Sequence, residues 1–513
     1  RDAIVVCSFG DASANHSTST GAINAACWAS HQHAPVPLLL VCEDNGLGIS
    51  VRTPQNWIAS SLGHRDELRY IPADGLDLVA SYEAACEAAE YVRRTRKPAL
   101  LHMKTVRLLG HAGSDIETLY RDVADIEAAE ARDPLLASAR LLVEAGIISG
   151  EELLQLYQQA AETIAALGDE AARHPKLTTL AQVVAPLAPR DGSAIDNHLA
   201  QPWLSPARER FWSGKLPEAQ RPAPLGITLN RALGDLLVRY PETLIFGEDV
   251  AHKGGVYGIT RDLCRRADRG RVFDTLLDEQ TILGIAIGAG HLDMLPIPEI
   301  QYLAYLHNAE DQLRGEAATL QFFSQAQFRN PMVVRIAAYA YQKGFGGHFH
   351  NDNGLAVLRD IPGLIIASPA HGEDAVSMLQ TCVAAARECG SVCVFLEPIA
   401  LYPVRDLYEK GDGLWCHEYQ PQPQHVPIGA PKMWRQGSDM LIVTFANGVP
   451  MSLRAARDLK QQHELDCAVL DLRWLAPLPV AAVLEQARRV ERVLIVDETR
   501  KSGGVAEGVI TGL

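Results

Sequence analysis

Long hydrophobic runs are missing. No apolar stretch of this chain reaches the roughly 20 residues a membrane-spanning helix needs, which argues against insertion in a bilayer. The ten cysteines are scattered, with no CxxC pair and no Cys/His cluster at zinc spacing. That pattern favours a reducing, cytoplasm-like compartment, and Cys389 and Cys393, one helical turn apart, read as buried thiols. Positive charge is in deficit. Against 62 Asp and Glu stand 47 Lys and Arg, and the net charge of −15 argues against a phosphate-binding surface for nucleic acid. No strand-like run leads into GxGxxG, which disfavours a nicotinamide-dependent dehydrogenase. A starting methionine and a signal segment are also absent: Arg1-Asp2 leads straight into a strand pattern, and Ser502–Ile510 reads as a loop opening a helix that is then cut off. The expectation is a piece of a longer protein, truncated at both ends, so a missing targeting segment carries no weight.

What is present is an ordinary globular composition, 47% apolar and 21% charged. At 513 residues the chain exceeds what one hydrophobic core supports, and about three domains are expected. Residues 1–125 alternate apolar strands, at 3–9, 36–42 and 99–106, with Ala-rich helices at 19–33 and 81–93. Residues 126–185 read as helical, with Leu135, Leu136, Ala139, Leu142 and Val143 on one face and Ser149 capping a second helix. Composition shifts to Pro, Gly and polar residues over 186–225, the pattern of a linker or an extended surface strap. Residues 226–400 form a second α/β block, with strands read at 244–250, 331–336 and 363–368. A looser connector at 401–437 precedes a third block, 438–513, with strands at 440–445, 466–472 and 492–497. The fold class is therefore α/β, with parallel sheets.

Polar tips on these strands carry the chemistry. The first run ends in Gly10-Asp11-Ala12-Ser13 and the second in Glu43-Asp44-Asn45-Gly46-Leu47, with a crossover helix between them. Neighbouring parallel strands bring both tips to one carboxyl edge, where open α/β sheets bind ligands. Oxygens from Asp11, Asn45 and a nearby backbone carbonyl suit a small hard cation such as Mg²⁺ gripping a diphosphate. Gly-Asp and Asp-Asn are equally ordinary turn pairs. His111, in the Gly-containing loop Gly110–Asp115, suits a proton donor or acceptor near neutral pH, or a plain surface turn. Glu279 falls where a strand gives way to a very apolar, glycine-dotted helix. Burial there holds a carboxyl proton more tightly and suits a partner for a ligand's ring nitrogen; the alternative is a helix-start acid favoured by the dipole. Residues 298–305 read as a strand whose aromatics stack on a flat heterocycle or pack in the core. His348 and His350 lie in the glycine-rich segment Lys343–Asn351, which suggests a second imidazole on a flexible loop, and a metal there has no third ligand nearby in sequence.

In this order the motifs resemble the thiamine-diphosphate-dependent, decarboxylating first component of 2-oxoacid dehydrogenase complexes, with α-type and β-type subunits fused in one polypeptide. Gly10-Asp11-Ala12 through Glu43–Ser50 is similar to the family's diphosphate and Mg²⁺ motif. Gly110–Asp115 with Tyr120-Arg121 is similar to its α-subunit histidine loop. Phe246–Val250, Phe273–Thr275, Glu279, Glu299–Gln301 and the His350 segment are similar to the β-subunit. The resemblance spans nearly the whole chain. It implies a transketolase-like, thiamine-diphosphate-binding fold. Residues 1–125 would be the α-type diphosphate- and Mg-binding domain, 126–185 its helical tail, 226–400 the β-type pyrimidine-binding domain and 438–513 a transketolase C-terminal-type domain.

The resemblance also implies roles. Asp11, Asn45 and the Leu47 carbonyl would bind Mg²⁺, with Ala12, Ser13, Gly48 and Ile49 lining the cofactor. Glu279 would engage the aminopyrimidine nitrogen, with Tyr305 stacked near that ring. His111 and His350 would face the thiazolium and handle protons. A 2-oxo acid, branched-chain favoured and pyruvate next, would lose carbon dioxide, and its acyl group would pass to the lipoyl group of a partner dihydrolipoyl acyltransferase core. The site is expected to form between the first and second blocks, in a homodimer of fused chains. A bacterial-type fused chain implies the cytoplasm; the mitochondrial matrix stays open. Alternatives are an acetoin dehydrogenase, another transketolase-type enzyme, and a non-catalytic subunit of such a complex. Three departures stand out. Ala12 replaces the motif's usual second glycine, which requires a negative φ there. Ala112 and Gly113 follow the loop histidine where mammalian-type enzymes have a phosphorylatable serine, which excludes that regulation. The family's early α-subunit segment, with tyrosine and arginine side chains reaching the diphosphate, is not in this chain.

Overall fold

The computed structural model describes residues 2–188, 190–268, 270–342 and 346–513. The chain folds as two compact units, residues 1–177 and 178–513. The first is built on four parallel strands: β1 (Val5–Gly10), β2 (Leu38–Asp44), β3 (Arg69–Asp74) and β4 (Ala99–Lys104), in the order β1-β2-β4-β3. The helix α1 (Ser17–His31) crosses from β1 to β2, and α2 (Leu78–Thr95) from β3 to β4. Asp77 starts α2 by accepting the amides of Val79 and Ala80, which satisfies two otherwise orphaned donors. Strand residues alternate between two apolar layers. Leu40, Cys42 and Leu100 pack with Ile23, Ile58 and Leu62 on one face, while Leu39, Ala99 and Leu101 pack with Ala88 and Val92 on the other. Burial on both faces is why β2 reads as a continuous apolar run.

Beyond the short helix Val123–Glu130, two longer helices follow, Pro134–Glu144 and Gly150–Ala172. Ser149 and Glu152 form the reciprocal cap expected of the second. The first is helical as read, and on its apolar face Leu135, Leu136 and Val143 are exposed. An amphipathic stripe says which side seeks cover, not that the same unit supplies it.

The second unit carries β5 (Thr243–Gly247), β6 (Val272–Asp274), β7 (Leu295–Ile300), β8 (Met332–Ala338), β9 (Ile365–Ala367) and β10 (Val392–Pro398), followed by β11 (Lys432–Arg435), β12 (Met440–Thr444), β13 (Cys467–Asp471), β14 (Trp474–Ala476) and β15 (Arg492–Ile495). They form a seven-stranded sheet, β14-β9-β10-β8-β7-β5-β6, and a four-stranded sheet, β11-β13-β12-β15. Apart from the antiparallel β14 and β11, the pairings are parallel. Pro296 and Pro298 sit inside β7, where proline is rare because it cannot donate to a ladder. Spaced two apart, they remove donors on one side only, and the pairing of β7 with β8 begins at Glu299. The helix α3 (Glu279–His291) follows β6, α4 (Gly372–Cys389) is buried along almost its whole length, and α5 (Gly448–His463) follows β12.

Two expectations change. The stretch read as a linker carries helices Gly192–Ala200 and Pro206–Phe211. Ile195 and Trp212 from this stretch are buried, and Arg208 makes bonds of 2.8 and 3.0 Å to Asp235. Its prolines start helices, at Pro206 and Pro217, rather than preventing them. Residues 298–305 are not one strand: β7 ends at Ile300, and Tyr302 and Tyr305 fall at and within a 3₁₀ turn, Leu303–Asn308. Among the described residues no helix is long and apolar enough to cross a membrane.

Candidate functional site

In the first unit β1 and β2 are paired in parallel, Gly10 opposite Glu43, so Asp11 and Asn45 emerge at one carboxyl edge. Asp11 is 1% exposed. Its Oδ2 accepts the Thr53 hydroxyl at 2.5 Å, while its Oδ1 is buried without a hydrogen-bond partner. An ionised oxygen in that state is costly unless something positive or protic meets it. Asn45 Oδ1 accepts the Leu47 amide at 3.0 Å, which leaves one of its two lone pairs for another partner. Asp44, next door, is committed elsewhere: burial pushes its pKa up, but hydrogen bonds from Lys104 and His102 outweigh burial and hold it below the usual range. Among the described residues no three His, Cys, Asp or Glu side chains gather as a metal cage. One carboxylate plus amide and carbonyl oxygens is the sparse protein donor set of a Mg²⁺ that also binds phosphates.

The hairpin Leu47–Gly48/Val51–Arg52 shapes this edge. Ala12 has φ −66°, meeting the requirement its methyl imposes, and enters the 3₁₀ turn Ser13–Asn15; Ser13 is exposed. A Cβ on Gly48 would come within 2.9 Å of the Ala12 Cβ. Ile49 is exposed with φ +56°, a left-handed conformation that costs a β-branched residue on the order of 1–3 kcal/mol. Arg107 Nη1 donates to the Ile49 carbonyl at 2.5 Å, and its Nη2 to the Tyr120 hydroxyl at 2.6 Å. Tyr120 in turn donates to Asp115, which also accepts the His111 amide at 2.7 Å. Those two bonds, Tyr120's first, hold Asp115 below the usual carboxylate range. Arg107 thus ties the Ile49 turn to the exposed His111 loop, a link that an isolated arginine past a strand did not announce.

The second unit holds Glu279, Tyr305 and His350. Glu279 opens α3 and is 6% exposed; its Oε2 accepts Asn308 Nδ2 at 2.7 Å. Tyr305 and Asn308 are three apart in the 3₁₀ turn, where such residues share a face. The Tyr305 hydroxyl lies 3.0 Å from His350 Nε2, and the Tyr302 ring meets the His350 ring edge-on at 5.0 Å. Tyr305 therefore hydrogen-bonds His350 in this arrangement. Sequence reasoning missed Asn308 and the acid Glu248. Burial first, and the Glu279 charge second, push Glu248 up to about 7, and its Oε1 is buried without a partner. His348 is exposed against Phe349, ring centroids 4.0 Å apart. Lys343, Gly344 and Phe345 of the expected histidine loop lie outside the described residues.

Three family descriptions match in chain order: "Dehydrogenase E1 component" over residues 1–179, "Transketolase, pyrimidine binding domain" over 226–403 and "Transketolase, C-terminal domain" over 429–513. The chain is 32% identical over 282 residues to the 3-methyl-2-oxobutanoate dehydrogenase subunit beta of Mycobacterium tuberculosis, covering 55% of this chain and 76% of that one. It is 31% identical to the 2-oxoisovalerate dehydrogenase subunit beta of Bacillus subtilis (55% and 81% covered) and 29% identical to the pyruvate dehydrogenase E1 component subunit beta of the same organism (52% and 77%). A solved structure described as "Split gene transketolase, inactive beta4 tetramer" is 17% identical, covering 57% of this chain and 84% of its own, at a TM-score of 0.44. The beta-subunit likeness, preceded in the same polypeptide by an E1 component segment, leads to one conclusion: this chain belongs to the E1 family of thiamine-diphosphate-dependent 2-oxoacid dehydrogenases, with α-type and β-type parts fused, on a transketolase-like α/β fold.

Proposed function

We propose that this protein oxidatively decarboxylates a 2-oxo acid, branched-chain acids before pyruvate, and passes the acyl group to the lipoyl group of a partner acyltransferase core. The observation that supports this most is the buried, unpartnered Oδ1 of Asp11 beside Asn45. Asp11, Asn45 and the Leu47 carbonyl would hold Mg²⁺ and, through it, the diphosphate, with Ala12, Ser13, Gly48 and Ile49 against the cofactor. Bound thiamine diphosphate would supply an electron sink for the bonding pair that stays on the former keto carbon when the carboxylate leaves as carbon dioxide. The protein's share is placement and proton handling. Glu279, steadied by Asn308, would hold a proton at the aminopyrimidine nitrogen, with Tyr305 against that ring. His111 and His350 would give and take protons at the substrate oxygen and the incoming lipoyl sulfur. The protein would act as a homodimer of fused chains in the cytoplasm.

The test is substrate profiling of the purified protein with an artificial electron acceptor. Branched-chain 2-oxo acids should support turnover dependent on both thiamine diphosphate and Mg²⁺. Turnover with acetoin but no 2-oxo acid would replace the reading with acetoin cleavage; no turnover with any substrate, together with calorimetry showing no cofactor binding, would leave a non-catalytic subunit.

A further inference from the structure

The third block lies far in sequence from the proposed chemistry, yet its sheet edge reaches the segment that bears His350. β12 and β15 are parallel neighbours, Met440 opposite Arg492, so the residues after them emerge at one carboxyl edge. Asn447, 3% exposed, follows β12; Glu498 and Arg500 follow β15. Asn447 Nδ2 donates to Glu498 Oε1 at 2.9 Å and to the Tyr341 carbonyl at 3.3 Å. The Tyr341 amide donates back to the Glu498 carboxylate. On the far side of the histidine, Asn353 Nδ2 donates to the Glu498 carbonyl at 2.8 Å, while Asn353 Oδ1 accepts the Ala340 amide at 2.9 Å. Arg500 Nη2 reaches Asp352 Oδ1 at 2.6 Å, and Asp352 Oδ2 lies 3.1 Å from His307 Nε2. Gln342 Nε2 closes the two flanks on each other through Asn351 Oδ1, at 2.7 Å.

We infer that Glu498, with Asn447 and Arg500, is a positioning residue for His350: the C-terminal block clamps residues 340–342 and 351–353 together and so fixes where the imidazole sits. One 3₁₀ turn receives the result, since Tyr305 meets His350, His307 meets Asp352, and Asn308 meets Glu279. A side chain that transfers protons must be held to within a fraction of an ångström, and a displacement of about 1 Å costs on the order of 100-fold in rate. The clamp supplies that constraint before substrate arrives. The inference rests on the reading of His350 as a proton-handling residue.

Two measurements test it. Hydrogen–deuterium exchange of peptides from 346–353, with no cofactor added, should quicken about 10-fold in Glu498→Ala, about 3-fold in the surface variant Arg500→Ala, and stay near wild type in Glu498→Gln, which keeps the acceptor oxygen toward Asn447. In 2-oxo acid turnover, Glu498→Ala should lower kcat 10- to 100-fold with KM changed by less than about 3-fold. In a His350→Ala background the same change should have almost no further effect, because residues acting through one group are non-additive. Should Glu498→Ala fail to fold, Arg500→Ala against wild type carries the same comparison, and Glu498→Gln serves only as the control. If His350→Ala costs turnover but the clamp variants exchange like wild type, or their losses add fully to that of His350→Ala, the positioning role is overturned alone. If His350→Ala leaves turnover intact, the proposed proton role falls, and this inference with it.

Discussion

Under the proposed function the two units would meet their ligand in opposite ways. At Asp11 the first unit leaves a buried carboxylate oxygen with nothing to meet it, on an edge shaped by a strained Ile49. In the second, Glu279, Tyr305 and His350 are each already engaged, through Asn308 and through each other. A cation brings its own binding energy, so its site can be incomplete without it. A proton-transfer group gains nothing from an arriving charge and must be aimed beforehand. Under the proposed function the first unit would trade stability for affinity, and the second would hold geometry.

The largest expected break in this contrast is Glu279→Gln. It should lower turnover by about 10²–10⁴-fold, the usual share of a positioned acid or base, with the melting temperature nearly unchanged. A loss of only a few-fold would remove Glu279 from the pyrimidine role. Next comes packing under the second unit's site: Leu396 is fully buried, and Leu396→Ala should destabilise that unit by about 2–5 kcal/mol in denaturant unfolding. Asp11→Asn should act in two directions. Without Mg²⁺ it should stabilise the first unit by about 1–3 kcal/mol, by removing an uncompensated charge. With Mg²⁺ and thiamine diphosphate present it should abolish the ligand-induced rise in melting temperature. A cofactor-dependent shift equal to that of wild type would take Asp11 out of the metal site.

Acid should separate the units again. Glu248 has a folded pKa of about 7 against an ordinary 4.5, so folding takes up a proton between those values. Its contribution to the second unit's stability therefore falls as pH rises from about 4.5 through about 7 and is level above. Asp44 is held below 3.8, so its contribution to the first unit is present above that value and is lost as pH falls through its folded pKa. Pulse proteolysis with mass-spectrometric readout of each unit should show opposite trends, and Glu248→Gln should flatten the second. The smallest effect is at the periphery of the first unit: Ser149→Ala should cost helix Gly150–Ala172 about 1 kcal/mol, measured by urea unfolding.

What the sequence disclosed, and what it hid, follows the range of the interactions. β2 and the polar tips of β1 and β2 were legible because apolar runs and turn residues act locally. Ser149 and Glu152 were legible for the same reason. Tyr302 and Tyr305 were misplaced in a strand because Pro298 and the aromatics favour extended chain, while the turn they adopt is set by packing against the His350 segment. Glu248 and Asn308 drew no notice as site members because nothing local marks an acid whose neighbour lies 31 residues on, or an amide that answers Glu279 across 29. The Glu498 clamp spans 145 residues between Asn353 and Glu498, and only the folded chain displays it.

The close approach of Gly48 to Ala12 makes these two positions one shared volume. A methyl added at 48 would need the one at 12 to move or vanish, whereas Ala12→Gly would open room that 48 could then use. In gene shuffling between this chain and its relatives, the β1 tip and the hairpin should be inherited together; crossovers placed between them would pair mismatched loops and yield dead recombinants.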